Sequence, residues 1–135
     1  MTNMLFYAHS GWRYVVILVA IVAIAKFLIG WLGKKEWTRF DRILSVLYPV
    51  SIDIQWLLGL LLYVLSPGAW FHGTGSVNFW EHFVAMTLAL AAAHFGSIRA
   101  RKQAESVDRF RTLAIWSIVA GVLVALGVAR ITGVF

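Results

Sequence analysis

The sequence predicts an all-α fold, an integral membrane four-helix bundle with up-down-up-down topology and both termini outside. Of its 135 residues, 61% are hydrophobic, and the mean hydropathy of +0.80 is well above that of soluble domains. Four apolar stretches each reach the roughly 20 residues that cross a bilayer as a helix. Little chain remains for a soluble unit, so we expect a single transmembrane domain over residues 1–135.

The four expected spans cover about residues 5–32, 43–65, 77–98 and 112–134. The first stretch has no basic region before it and is too long for the apolar part of a signal peptide, so we expect it to persist as a helix. In the second span, Pro49 has no N–H to donate to the carbonyl of Ser45. A kink is therefore expected early in that helix.

The basic residues lie on one side of the predicted bundle. Nine of the twelve Lys and Arg residues fall in two short loops: Lys34, Lys35, Arg39 and Arg42 in one, Arg99, Arg101, Lys102, Arg109 and Arg111 in the other. Neither the first twelve residues nor the loop 66–78 carries a Lys or Arg, which places these segments outside. Because topology explains the formal charge of +6, no nucleic-acid partner is expected.

Cysteine is absent from the chain. Disulfides, thiolate metal sites and covalently attached haem are therefore excluded. Any bound cofactor must be held noncovalently.

Eight ionisable side chains fall within the predicted spans, where each is costly enough that function is the first hypothesis. They are His9, Arg13, Lys26, Asp53, Glu81, His82, His94 and Arg130. We expect Lys26 to extend its ammonium group to the inner surface. Near the outer face, His9 and His82 enter their spans to the same depth, about 6 to 8 Å. Arg13, Glu81 and Arg130 share this layer.

Helical phase turns both of these histidines toward neighbouring helices. Small residues mark the surfaces where membrane helices pack. At about 100° per residue, the face of His82 also carries Ala85, Ala89, Ala92, Ala93 and Gly96. The face of His9 carries Arg13, Ala20 and Ala23. We therefore expect the two imidazoles to face each other within the bundle.

Two imidazoles at equal depth on different helices are the ligands that a noncovalent haem b requires, one on each side of the iron. His9 and His82 are thus candidate haem ligands, and Arg13 and Arg130 are candidate partners for the two propionates. A structural hypothesis competes, in which Glu81 pairs with an arginine and the histidines bond to backbone groups. A third is a mononuclear metal site that adds Glu81 and the loop residue His72 to the two histidines.

Asp53 lies near the bilayer midplane, where a carboxyl group must be neutral or paired. Asp53 and Gln55 are candidates for a proton or quinone role, and a buried hydrogen-bonded acid is the structural alternative. His94 lies near the inner end of the third span, about 120° from His82. One haem cannot use both of those histidines, and no other histidine lies at the depth of His94, so we expect at most one haem.

Three short segments carry a resemblance to a known family: His-Ser-Gly-Trp-Arg-Tyr at 9–14, Ile-Gln-Trp-Leu-Leu-Gly-Leu at 54–60, and Glu-His at 81–82. In these segments and in layout the chain resembles small bacterial four-helix membrane proteins that are cytochrome b-like, loosely akin to the cytochrome b561 class. The resemblance implies haem, electron transfer with quinone, and a bacterial plasma membrane. Some relatives have histidine where this chain has Asp53, so no ligand role is carried over to that position.

The leading functional hypothesis is therefore a b-haem membrane protein that transfers electrons within the bilayer or to a membrane redox partner. A second hypothesis is a cofactor-free accessory subunit of a respiratory or photosynthetic complex, docked through its small-residue faces. A third is a small ion-coupled transporter with Asp53 as its coupling site, although the chain has no pair of broken helices.

Overall fold

A computed structural model of the chain describes residues 2–65 and 77–132, with side-chain surroundings given for residues 4–65 and 80–129. Over these residues the chain forms four α-helices, namely α1 (Thr2–Leu32), α2 (Arg39–Leu65), α3 (Val77–Arg101) and α4 (Ser106–Thr132). Each is long and apolar enough to cross a membrane. Consecutive helices pack on one another and α1 also packs on α4, so the predicted four-helix bundle is confirmed.

Three helices begin earlier than hydropathy predicts, α1 at Thr2, α2 at Arg39 and α4 at Ser106. A search for apolar stretches misses a first helical turn that is polar, but a capping interaction can stabilise such a turn. At α2, the backbone N–H of Asp41 donates to Thr38 Oγ1 at 3.3 Å, and the backbone N–H of Thr38 donates to Asp41 Oδ2 at 2.9 Å. This reciprocal capping box satisfies two amides that the helix itself cannot pair.

Asp41 also forms an ion pair with Lys26 of α1, which was not predicted from the sequence. Its side chain is fully buried, and Lys26 Nζ on α1 lies 2.6 Å from its Oδ1 atom. We expected Lys26 to extend its ammonium group to the inner surface; the structure gives this group a partner, the Asp41 carboxylate in the first turn of α2. Removing Lys26 would be destabilising, because the Asp41 carboxylate would stay buried without a cation beside it. The pair joins α1 to α2 at the end of the bundle that carries the basic loops, called the basic end below.

Small residues allow the helices to approach closely, as their phase predicts. The buried core includes the alanines at 20, 23, 89, 92 and 93. A Cβ atom at Gly30 would clash with the Phe110 ring, and one at Gly96 would clash with Trp116. These glycines bring α1 and α3, respectively, against α4.

Side-chain donors on one helix reach backbone carbonyls on another. Tyr48 Oη donates to the Ser117 carbonyl at 2.9 Å, joining α2 to α4 across the bundle. Trp12 Nε1 donates to the Ser51 carbonyl at 2.9 Å, joining α1 to α2. Each bond gives a polar side-chain group inside the bundle the hydrogen-bond partner that hydrocarbon cannot provide.

The most specific of these bonds repairs the defect made by Pro49. Helix α2 continues through Pro49, whose missing N–H leaves the carbonyl of Ser45 without its usual helical donor. Ser97 Oγ on α3 donates to this carbonyl at 3.1 Å, and Arg101 Nη2 in turn donates to Ser97 Oγ at 3.2 Å. A proline in one helix is thus matched by a serine in its neighbour.

We expect Ser97→Ala to lower the free energy of unfolding by about 1 kcal/mol, the usual net worth of such a bond. In a Pro49→Ala background the Ser45 carbonyl regains a helical donor, so the same substitution should cost clearly less. Equilibrium unfolding in mixed micelles measures both values. Equal costs in the two backgrounds would contradict this role for Ser97.

Candidate cofactor site

The structure brings His9 of α1 and His82 of α3 together inside the bundle. Their ring centroids lie 6.2 Å apart, and the ring planes are nearly perpendicular at 87°. Helices α1 and α3 are diagonal partners in the four-helix ring, so the imidazoles meet across its interior near the end opposite the basic loops.

A backbone carbonyl fixes the orientation of His82. The Nδ1 atom of its ring lies 2.7 Å from the carbonyl oxygen of Gly127 on α4. Because a carbonyl can only accept, Nδ1 carries the proton and donates, which leaves Nε2 with a free lone pair. An outer hydrogen bond of this kind is what holds a metal-ligating histidine in the correct tautomer.

Helix α2 provides the space for His9. A Cβ atom at Gly59 would lie only 3.0 Å from Cε1 of the His9 ring, so any larger residue there would press on the imidazole. One turn away, Gln55 Nε2 donates to the backbone carbonyl of His9 at 2.9 Å. Gln55 therefore contacts His9, and its predicted proton or quinone role with Asp53 is still a prediction.

Three buried side-chain atoms have no hydrogen-bond partner among the described residues: His9 Nδ1, Arg13 Nε and Gln55 Oε1. All three residues line one cavity of about 350 Å³, whose walls also include His82 and Met86. Each unsatisfied buried polar group costs about 1–3 kcal/mol, so such atoms are rare in folded proteins. Their concentration around one cavity marks a polar site that a ligand or bound water can complete.

A second, smaller cavity of about 50 Å³ is lined mainly by residues of α2 and α3. It shares His9, Gln55, His82 and Met86 with the larger cavity, which is also lined by Val124 and Val128 of α4. The imidazole pair therefore has space on both flanks, one toward α2 and one toward α4.

The donor set suits a bis-imidazole metal centre. A metal–imidazole bond is about 2 Å long, so two imidazoles on opposite sides of one iron have centroids about 6 Å apart. The observed 6.2 Å agrees with that spacing. The larger cavity is at the low end of small-molecule pockets, which hold about 300–1,000 Å³, and the smaller one adds only about 50 Å³. A porphyrin would therefore require the helices around the imidazole pair to move apart. The unpaired Arg13 Nε could donate to a carboxylate, as a propionate requires.

The remaining predicted members of the site have different outcomes. Glu81 is partly buried beside His82 on α3. Among the residues that the structure describes, no three His, Asp or Glu side chains come together as a metal site, so His9, His82 and Glu81 do not form one. His72 lies outside the described residues. Arg130 lies within α4, but its side chain is outside the described part, so its predicted role is still a prediction.

Asp53 and His94 form a hydrogen-bonded pair that sequence reasoning missed. His94 Nε2 on α3 lies 2.7 and 2.9 Å from the two carboxyl oxygens of Asp53 on α2. The side chains remain 42% and 39% exposed, so the pair faces outward at the α2–α3 surface and not into the histidine cavities. From the sequence, Asp53 was expected near the bilayer midplane and His94 near the inner end of its span, so no contact between them was predicted. The available signal was the presence of two ionisable side chains, one acid and one histidine, within consecutive spans.

Comparisons with protein-family models, with curated proteins and with solved structures give no match to this chain. The functional assignment therefore depends on the geometry of the site.

Proposed function

We propose that this chain is a b-type haem membrane protein that transfers electrons within the bilayer, with His9 and His82 as axial ligands. The observation that carries the proposal is the cavity beside this imidazole pair, which collects the three partnerless buried polar atoms of the described residues. A haem would supply reversible one-electron chemistry at this position.

The protein's own residues would hold and tune that group. The bond from His82 Nδ1 to Gly127 fixes the ring and makes its free nitrogen a better donor to a metal. Arg13 would pair with a propionate, and Arg130 is proposed for the other. Met86, Val124 and Val128 give the cavity apolar walls, which keep water away from the ligands. With no cysteine in the chain, the attachment is noncovalent.

We propose quinone as the electron partner. We further propose that the protein lies in the plasma membrane of a bacterial cell, with both chain termini outside. The Asp53–His94 pair supports this choice, because it presents a hydrogen-bond acceptor and a donor at the lipid-facing surface between α2 and α3. Groups of this kind can bond to quinone oxygens and accept protons from a quinol. Transfer to another membrane redox protein is the alternative route.

The first test is the reduced-minus-oxidised absorption spectrum of the detergent-purified protein from haem-replete cells. We expect sharp b-type bands that disappear in His9→Ala and in His82→Ala, because each substitution removes an axial ligand. His94→Gln is the matched control, since it changes a histidine of the same bundle outside the cavities, and its bands should persist.

A featureless wild-type spectrum would reject the haem proposal and favour a cofactor-free accessory subunit. Bands that survive both alanine substitutions would place the haem elsewhere in the chain.

The role of Arg13 has its own test. Arg13→Gln should weaken haem binding about 10- to 100-fold, because a charge-assisted hydrogen bond contributes about 1.5–3 kcal/mol. Haem titration of the apoprotein in detergent measures the Kd. Arg111→Gln, which removes an arginine paired with Asp108 at the basic end, should leave the Kd unchanged. Equal Kd values for the wild type and Arg13→Gln would exclude Arg13 as the propionate partner.

A further inference from the structure

A second large concave feature lies at the basic end, far from the histidine pair. It is a cleft of about 1240 Å³ between the first turns of α2, the last turns of α3 and the start of α4. Four arginines line it, Arg39, Arg42, Arg101 and Arg109. We call it the arginine cleft.

The positive charge of this cleft is not neutralised within the described chain. None of its four arginines forms an ion pair with a carboxylate in the described residues. Of the described carboxylates at this end, Asp41 is paired with Lys26 and Asp108 with Arg111, and no ion pair joins Glu36 or Glu105 to an arginine of the cleft. Four like charges in one cleft repel each other, so an anion bound between them would be stabilised.

Two of the guanidinium groups are held in place by hydrogen bonds. Arg101 Nη2 donates to Ser97 Oγ at 3.2 Å, and Arg109 Nε donates to the carbonyl of Gln103 at 2.8 Å. The Arg109 guanidinium also lies 5.7 Å from the centroid of the Trp37 ring. Each keeps further N–H donors available for an anion, because a guanidinium carries five.

Below the arginines the cleft becomes apolar. Ile43, Val46, Leu47 and Val50 of α2 line it and are 39–51% exposed. From Arg42 to Val50 the helix rises about 12 Å, close to the roughly 15 Å that one leaflet of a bilayer's hydrocarbon core measures. The buried floor includes Ser45, Ser97 and Ala100. The cleft therefore has a cationic end formed by the arginines and an apolar part along α2, the slot, which runs along the membrane normal.

We propose that the arginine cleft binds one anionic phospholipid, with its phosphate among the arginines and an acyl chain along the exposed face of α2. Basic pockets between membrane helices at the cytoplasmic surface are suited to such headgroups. The positive-inside rule accounts for the side on which the arginines lie, but not for their convergence on one cleft with an apolar wall. That wall favours a lipid over free phosphate.

Native mass spectrometry of the purified full-length protein tests the proposal, with dioleoylphosphatidylglycerol, dioleoylphosphatidylcholine and inorganic phosphate as the three probes. We expect one phosphatidylglycerol per chain at a Kd at least about tenfold below that of phosphatidylcholine, because the choline ammonium adds a positive charge beside the four arginines. Inorganic phosphate at the same concentration should not displace it.

Arg42→Gln/Arg101→Gln should raise the Kd for phosphatidylglycerol about tenfold or more. Lys34→Gln/Lys35→Gln removes the same charge from exposed positions at the same end of the bundle, and its Kd should stay within about twofold. Val46→Trp, at an outward-facing position, should weaken lipid binding by filling the slot while leaving all four arginines in place. Gel filtration checks that each variant remains folded.

Three outcomes would overturn the proposal. Equal affinity for the two phospholipids would show that charge is not recognised. Equal losses in the arginine and lysine double variants would reduce the effect to general surface charge. Displacement by inorganic phosphate, with Val46→Trp binding as the wild type does, would make the cleft a phosphate site.

Discussion

Lipid offers no hydrogen bonds, so every polar group inside this bundle must find its partner within the protein. The structure meets this constraint repeatedly and locally. Ser97 supplies the donor that Pro49 removes from the Ser45 carbonyl, and Lys26 pairs with the fully buried Asp41. Such pairings explain why polar residues persist inside spans whose apolar surface would insert without them.

The same constraint makes the unpaired polar atoms at the histidine cavities informative. Where other polar groups are matched, His9 Nδ1, Arg13 Nε and Gln55 Oε1 are buried and unmatched within the described residues. They surround an imidazole pair whose second member is oriented by Gly127. A haem, which carries a metal and two carboxylates, is the ligand that we propose for these atoms. The arginine cleft at the other end is a separate surface, for which we propose an anionic phospholipid.

Much of this fold could be predicted from the sequence because the relevant quantities are local. Span length, hydropathy and the 100° helical repeat are properties of single helices, and they predicted four helices and the small-residue face of α3. The equal depth of His9 and His82 is also a count along each helix. Their opposition across the bundle then follows from the small residues that share their faces.

Other features depend on how one helix is shifted and rotated against another, and no single helix encodes that. The Asp53–His94 pair is one example, since depths counted from the span ends separated the two residues. The capping box at Thr38 was readable in the sequence, but its continuation to Lys26 required the packing of α1 on α2. The contact of Gln55 with His9 was not predicted for the same reason, because it depends on how α1 and α2 are rotated against each other.

The most direct test of the central claim is the haem content of the purified protein, measured as the pyridine haemochrome against chain concentration in material from haem-replete cells. We expect one haem per chain, since the described residues bring only one pair of histidines together. A chain that binds no haem, or one that binds two, would contradict the assignment of His9 and His82 as the ligands of a single haem.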